Sequence, residues 1–142
     1  MRHNAADWAQ VQAIRTAVFV VEQRCPPPEE WDAFDRTSTH ILMSCDGEPI
    51  GTARWRLLVA GEAKLERFAV LREHRGAGYG RRLVTYVLED ARAAGATRLV
   101  LHAQARLEAF YESFGFQSTG TRFVEAGIDH VEMRWDAEVG PR

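Results

Sequence analysis

Apolar residues recur at helical spacing in three stretches of the chain: residues 6–20, 78–94 and 106–114. Apolar positions three or four residues apart lie on one side of a helix, so each stretch is predicted to be an amphipathic helix. Three prolines follow Cys25 and prevent the first helix from extending further, because proline cannot continue a helix. The apolar stripes consist of Trp8, Val11, Ile14 and Val18, of Leu83, Val84, Val87, Leu88 and Ala91, and of Leu107, Phe110, Tyr111 and Phe114.

Strand-like segments occupy most of the remaining chain. The predicted strands are residues 39–46, 49–59, 63–71, 97–104, 116–124 and 128–135, whereas residues 29–37 are predicted to be a loop or one helical turn. This order of elements predicts an α/β fold in which helices flank a mixed sheet. No internal repeat or glycine- and serine-rich linker interrupts the order, so we expect residues 1–142 to form a single domain.

Composition argues against several functional classes. The chain has 142 residues and a net charge of −2, whereas a dedicated nucleic-acid-binding domain is usually strongly basic. No apolar run approaches the ~20 residues of a membrane span, and residues 1–7 lack the apolar stretch of a signal peptide. We therefore expect a cytoplasmic protein that binds neither nucleic acid nor membrane, with Cys25 and Cys45 as thiols. The histidines and cysteines show no metal-ligand spacing, so we expect no metal.

Charge is unevenly distributed along the chain. Residues 67–82 contain five arginines and one glutamate, and residues 22–35 contain five carboxylates and one arginine. Each segment is either a solvated surface or part of a site: an anion site in the basic segment, and a rim that attracts a cationic ligand in the acidic one.

The basic segment contains Arg75-Gly76-Ala77-Gly78-Tyr79-Gly80, which we call the glycine loop. It lies between a predicted strand and the strongest predicted helix, where glycines expose backbone N–H groups beside the positive end of the helix. With the arginines around it, this arrangement favours a phosphate ligand over the alternative of a plain turn. The loop lacks the Gly-Lys-Ser/Thr of a Walker A motif and the glycine spacing of a dinucleotide-binding motif.

Two segments together resemble the GNAT superfamily of N-acyltransferases. Arg75-x-x-Gly78-x-Gly80 matches its acyl-CoA signature, Q/R-x-x-G-x-G/A. Residues 110–116, Phe-Tyr-Glu-Ser-Phe-Gly-Phe, match its second hallmark, an aromatic-Tyr-Glu helix that ends in Gly-Phe. The segments at residues 18–26 and 103–105 are also similar to the ElaA-like branch of bacterial GNAT proteins, and the whole resemblance spans about residues 11–135.

The resemblance implies a GNAT fold, a mostly antiparallel twisted sheet with about four helices. Because almost no residues precede the first helix, we expect the first strand of the family to be missing or rudimentary. The resemblance also implies acetyl-CoA as co-substrate, with its pantetheine on the main chain of Phe68, Ala69 and Val70. Its pyrophosphate would bind the amides of Gly76, Ala77, Gly78, Tyr79, Gly80 and Arg81, with Arg75 supporting the loop.

The same resemblance assigns roles to side chains. Tyr111 takes the position of the family's usual general acid, which protonates the leaving thiolate. His102 and Glu66 are alternative bases for the acceptor amine, each with a structural role as the competing interpretation. The acceptor pocket would include Glu22, Arg54 and Gln104, unless these residues only maintain the fold.

The function that these residues imply is transfer of an acetyl group from acetyl-CoA to a primary amine of a small molecule or peptide, by direct attack in a ternary complex. The alternative is a non-catalytic module on the same fold that binds acyl-CoA or a protein partner. Tyr111 and an intact glycine loop favour the enzyme, whereas a Tyr111 buried away from the CoA sulfur would favour the module. A monomer and a homodimer are both compatible with the sequence.

Overall fold

Helices form at the places where the sequence pattern predicts them. The computed structural model describes residues 5–25, 31–59 and 61–137. Helix α1 (Ala5–Arg15) continues as a π-helical segment (Thr16–Glu22), α2 spans Tyr79–Ala93, and α3 (Glu108–Glu112) follows a 3₁₀ turn. Two further 3₁₀ turns occupy Ala33–Arg36, within the predicted loop or helical turn, and Arg72–His74.

Six strands build one sheet in the order β1-β2-β3-β4-β6-β5. Within the described ranges, only the β3–β4 pair is parallel, which confirms a mostly antiparallel sheet with flanking helices. No described strand precedes β1, in line with a missing first strand, although residues 1–4 lie outside the described part. The strands are β1 (Thr39–Cys45), β2 (Glu48–Val59), β3 (Glu62–Val70), β4 (Arg98–Gln104), β5 (Gln117–Glu125) and β6 (Ile128–Asp136).

The two faces of the sheet differ in chemistry. The apolar stripe of α2 packs with Leu65, Leu101 and other buried strand residues in the main core, and Tyr111 and Phe116 belong to the same cluster. Alternate strand residues point to opposite faces, so Glu66 and His102 lie on the other face, which is polar. Helix α1 and the π-helical segment cover part of this polar face through a second cluster that includes Ala69. Of the helices in the described ranges, none has the length and apolar character of a membrane span.

A β-bulge separates β3 from its parallel neighbour β4. Their pairing ends at Leu65 opposite Leu101, although β3 continues to Val70 and β4 to Gln104. Opposite β2 the register of β3 shifts between Glu66 and Ala69, and Arg67 in this interval has a φ of +58°. A bulge bends and twists its strand. The two strands therefore diverge beyond Leu65 and leave an opening in the sheet.

Arg54 holds together the elements beside this opening. Its side chain is 1% exposed, and it donates hydrogen bonds to Asp32 at 2.8 and 2.9 Å, to Asp35 at 2.7 Å and to Glu66 at 2.7 Å. Arg15 on α1 donates to Asp35 at 2.6 Å, so the network connects α1, the Ala33–Arg36 turn and the sheet. The hydrogen bond from Arg54 lowers the pKa of Asp32 to about 2, although burial opposes the shift.

We predict that Arg54→Met destabilises the protein by about 3–5 kcal/mol, because removing one partner leaves buried carboxylates without a counter-charge. The free energy of unfolding from urea titration measures the effect. Arg122→Met is the matched control: Arg122 forms an exposed pair with Glu108 at 3.0 Å, and its loss should cost less than about 1 kcal/mol. Equal stability of the two variants would contradict a stabilising role for the network.

Candidate active site

The opening between β3 and β4 forms a cleft of about 470 Å³. Strand residues on both sides line it, together with the end of the π-helical segment, α3 and the β5–β6 turn. The cleft brings together Tyr111, His102, Glu66, Phe68 and Gln104 of the sequence-predicted site residues.

Tyr111 lies on α3 at the wall of the cleft and is only 5% exposed. Its ring packs against Phe68, Phe110 and Phe116, with centroids 6.0, 5.2 and 6.2 Å away. Burial raises the pKa of the phenol well above its ordinary value, because the charged phenolate is disfavoured away from water. Tyr111 is therefore a protonated donor at neutral pH, in a fixed position beside the cleft.

His102 lies on β4 and faces the cleft from the polar side of the sheet. Its Nε2 is 3.5 Å from Oε2 of Glu132, and its ring meets Phe123 edge-on at 4.8 Å. Thr119 donates a hydrogen bond to the other Glu132 oxygen at 3.0 Å and orients this carboxylate. Burial and the positive charge of Lys64 lower the pKa of His102 more than Glu132 raises it. The imidazole is therefore neutral at pH 7 and can accept a proton.

Glu66 also lines the cleft, but guanidinium groups hold its carboxylate. It accepts hydrogen bonds from Nη2 of Arg54 at 2.7 Å and from Nε of Arg56. Burial raises the pKa of Glu66, but these hydrogen bonds outweigh burial and hold the pKa below its ordinary value. A carboxylate whose two oxygens already accept charged hydrogen bonds is a weak base, so the geometry favours His102 of the two candidates.

The glycine loop leads directly into the N-terminus of α2. Gly76 and Gly78 have φ values of +86° and +85°, which side-chain-bearing residues rarely adopt, and a Cβ at either position would project into open space. The first hydrogen bond at the start of α2 runs from the Arg82 N–H to the Gly78 oxygen at 3.2 Å. The N–H groups of the first helical residues thus have no partner inside the helix. An anion could approach these donors without meeting a side chain at the two glycines.

Arg75 braces the glycine loop from behind. Its Nε donates to the Val70 oxygen at 2.9 Å, and Nη2 donates to Oε1 of Glu22 at 2.8 Å, with Nη1 on the other oxygen. Glu22 does not line the cleft, because this pair holds it at the end of the π-helical segment. The contact of Glu22 with the acceptor therefore stays a prediction, and the contact that the structure shows is the pair with Arg75.

The remaining residues that were predicted to bind acetyl-CoA lie in two places: at the end of β3, where their side chains pack against apolar clusters, and at the start of α2. Phe68 and Val70 pack against the main core, and Ala69 packs in the cluster under α1. Their main chain continues beyond the end of the β3–β4 pairing, and Phe68 lines the cleft. Arg81 donates to Oγ of Ser113 at 2.7 Å, and the Tyr79 hydroxyl lies 3.3 Å from Sγ of Cys45.

Of the two other residues predicted for the acceptor pocket, Gln104 is in the cleft lining and Arg54 is buried next to it. Gln104 lines the cleft and donates to Oε1 of Gln23 at 3.0 Å. Arg54 is buried in its carboxylate network, where it contacts Glu66 of the cleft lining, and its predicted role in the acceptor pocket stays a prediction. Gln23 and Lys64 also line the cleft, and the sequence analysis did not identify them. For Lys64, one signal was available: it precedes Glu66 by two residues in a predicted strand, so both side chains lie on the same face of the sheet. In the described ranges, no three His, Cys, Asp or Glu side chains are grouped to hold a metal.

Sequence and structure comparisons with known proteins both identify acetyltransferases as similar to this chain. Residues 6–137 match the acetyltransferase (GNAT) domain. The uncharacterized N-acetyltransferase YjcF of Bacillus subtilis is 37% identical over 124 residues, which cover 87% of this chain and 88% of the relative. The crystal structure of Escherichia coli ElaA has a TM-score of 0.86 at 30% identity and covers 95% of this chain and 93% of that chain. A GNAT family acetyltransferase from Elizabethkingia anophelis with acetyl-CoA bound is alike in fold alone, with a TM-score of 0.67, 15% identity and 94% of each chain covered.

We predict that the imidazole of His102 titrates below its ordinary pKa of about 6.5, as ring-proton chemical shifts measured against pH will show. Glu132→Gln removes a negative charge that favours the imidazolium, so the pKa should fall further. Glu89→Gln, on the exposed side of α2, is the matched control and should leave the titration unchanged. An unchanged pKa in Glu132→Gln would show that Glu132 does not act on the imidazole.

Proposed function

The chain belongs to the GNAT acetyltransferase family, and on this basis we propose that it transfers an acetyl group from acetyl-CoA to a primary amine of a small molecule or peptide. One observation carries the proposal: a single cleft is bordered by the open backbone of β3, a protonated Tyr111 and a neutral His102. The glycine loop, an anion site, follows the same strand.

Acetyl-CoA fits the donor groups that this chain provides. Its pyrophosphate would accept hydrogen bonds from the N–H groups between Gly76 and Arg81, with the positive end of α2 opposite the negative charge. Its pantetheine amides would pair with the main chain of Phe68, Ala69 and Val70, beyond the last β3–β4 pair. Arg75 keeps the loop and this strand in fixed relation through the Val70 oxygen.

The reaction requires three proton movements. The acceptor enters as an ammonium ion at neutral pH, and His102 accepts one of its protons to free the nitrogen lone pair. The nitrogen forms a bond to the acetyl carbon and the carbon–sulfur bond breaks, with its electron pair on sulfur, while the nitrogen releases its second proton to solvent to leave a neutral amide. Tyr111 gives its proton to the sulfur, and exchange with solvent restores both side chains.

The high pKa of Tyr111 is compatible with this role. A phenol that stays protonated can donate a hydrogen bond to sulfur throughout the reaction, before the proton is transferred. The apolar rings around Tyr111 also disfavour a free thiolate, so burial raises the proton affinity of both groups.

The non-catalytic alternative would have a Tyr111 directed away from the cleft. Instead, Tyr111 and His102 line the same cleft, so an enzyme is the better supported function. We place this enzyme in the cytoplasm, as the composition suggests.

We predict that Gly78→Glu weakens acetyl-CoA binding by about 30-fold or more, because it places a negative charge and a side chain at the N-terminus of α2. Isothermal titration calorimetry measures the dissociation constant. Gly95→Glu is the matched control: Gly95 also has a positive φ and open space, but it follows the opposite end of the same helix. Equal affinities in the two variants would place the phosphates elsewhere.

We predict that Tyr111→Phe lowers kcat by about 10²–10⁴-fold, the usual contribution of general acid catalysis. Stability should change by no more than ~1.5 kcal/mol, because the ring and its packing are kept and only a hydroxyl is lost. Steady-state release of the CoA thiol measures the rate, and Tyr86→Phe, on the exposed side of α2, is the control. A Tyr111→Phe enzyme at full rate would remove Tyr111 from the mechanism.

A further inference from the structure

The acidic residues beside the cleft are already neutralised by arginines. Asp32, Asp35 and Glu66 form one connected network with Arg15, Arg54, Arg56 and Arg67. Among the described residues, the network consists of three carboxylates and four guanidinium groups. Glu22, at the start of the acidic segment, is paired separately with Arg75. These described carboxylates therefore do not form a rim that attracts a cationic acceptor.

Lys64 adds a further positive charge to the same side of the cleft. It is half-buried on β3 and lines the cleft, opposite Arg56 on β2 and Val100 on β4. Arg56 and Arg67, the other cations of the lining, are paired with Glu66 and Asp32, whereas no described carboxylate lies within ion-pair distance of the Lys64 ammonium. Lys64 is thus the cation of the described lining that can bind an anionic ligand without first breaking an ion pair.

Two other carboxylates face this region but are less well placed to neutralise Lys64. Glu132 contacts His102 and Thr119, and Glu125 is 54% exposed on the β5–β6 side, 3.9 Å from His130. The lowered pKa of His102 is consistent with this arrangement, because burial and the positive charge of Lys64 together outweigh the opposing effects of Glu132 and Glu125. The electrostatic field at the imidazole therefore has a positive contribution from the β3 side.

We propose that the acceptor is a small zwitterionic amine, whose carboxylate binds the Lys64 ammonium while its amino group faces His102. This inference rests on the proposed acetyltransferase function. Val100, the strand partner of Lys64, precedes His102 by two residues, which is about 6.6 Å along a parallel strand. A carboxylate and an amine separated by one to a few carbon atoms span this interval together with the flexible lysine side chain.

The test compares pairs of acceptors in which a carboxamide replaces the carboxylate, and each rate is divided by the fraction of acceptor present as free amine, because the amine of the amide has the lower pKa. Free amino acids and their carboxamides are assayed with acetyl-CoA, by thiol release, at a pH above the titration of His102. At such a pH a change in the protonation of the imidazole does not contribute to the rates. The variants are Lys64→Met, which keeps most of the aliphatic stem, and Lys64→Arg, which keeps the charge.

The wild-type protein should prefer the amino acid to its amide. Lys64→Met should lower kcat/KM for the amino acid by about 10- to 100-fold, mainly through KM, and leave the amide within about 3-fold. Lys64→Arg should keep most of the preference. Arg92→Met, on α2 against the opposite face of the sheet, removes a cation elsewhere and should change neither substrate.

Two results would overturn the proposal: a preference for the amide, or an equal loss with both acceptors in Lys64→Met. If the protein binds acetyl-CoA but acetylates no amine at all, it is the proposed function that fails. In that case, calorimetry measures the binding of the same amino acids and amides to protein saturated with CoA. The zwitterion proposal then requires that the wild-type protein binds the amino acid more tightly than the amide, and that Lys64→Met removes this difference.

Discussion

The divergence of β3 from β4 is the constraint on which the rest of the site depends. A strand beyond its last pair presents backbone N–H and C=O groups that need partners, and burying them without partners is costly. Here the pairing ends at Leu65 and Leu101, so the next residues of β3 border a cleft. An extended ligand with its own amides can take the place of the missing strand. In the proposed function, the unpaired backbone of β3 beside the opening is the surface that binds the donor.

The network around Arg54 stabilises the sheet next to this opening. Arg54 on β2 binds Asp32 and Asp35 from the turn before β1 and Glu66 from β3, and Asp35 also accepts a hydrogen bond from Arg15 on α1, so the network connects four elements. The same contacts make Glu66 a weak base and neutralise the negative charges of Asp32 and Asp35. The network that stabilises the fold therefore also affects the chemistry of the cleft. It leaves His102 able to accept a proton and Lys64 able to bind an anion.

Local patterns were sufficient to predict the elements. Residues 78–94 were predicted as a helix and α2 spans Tyr79–Ala93, because an apolar stripe and a terminal glycine are short-range signals. The cleft residues Tyr111, His102 and Gln104 were likewise found through a local motif and its neighbourhood. The ion pairs of Glu22 and Arg54 could not be predicted because their partners are distant in sequence: Arg75 is 53 residues from Glu22. Counting charge along the chain cannot reveal pairs that only the fold creates.

The proposed recognition of the donor through main-chain groups has an evolutionary consequence. Ala69 and Val70 pack against the apolar clusters rather than in the cleft lining, so the backbone at these two positions is independent of which apolar residues stand there. Substitutions among apolar residues at these positions can accumulate under selection for packing alone, without altering the binding surface. The proposed roles of Lys64 and His102 depend on their side chains, so each replacement there would change the groups that face the acceptor. Relatives of this chain can therefore keep one donor while their acceptors diversify.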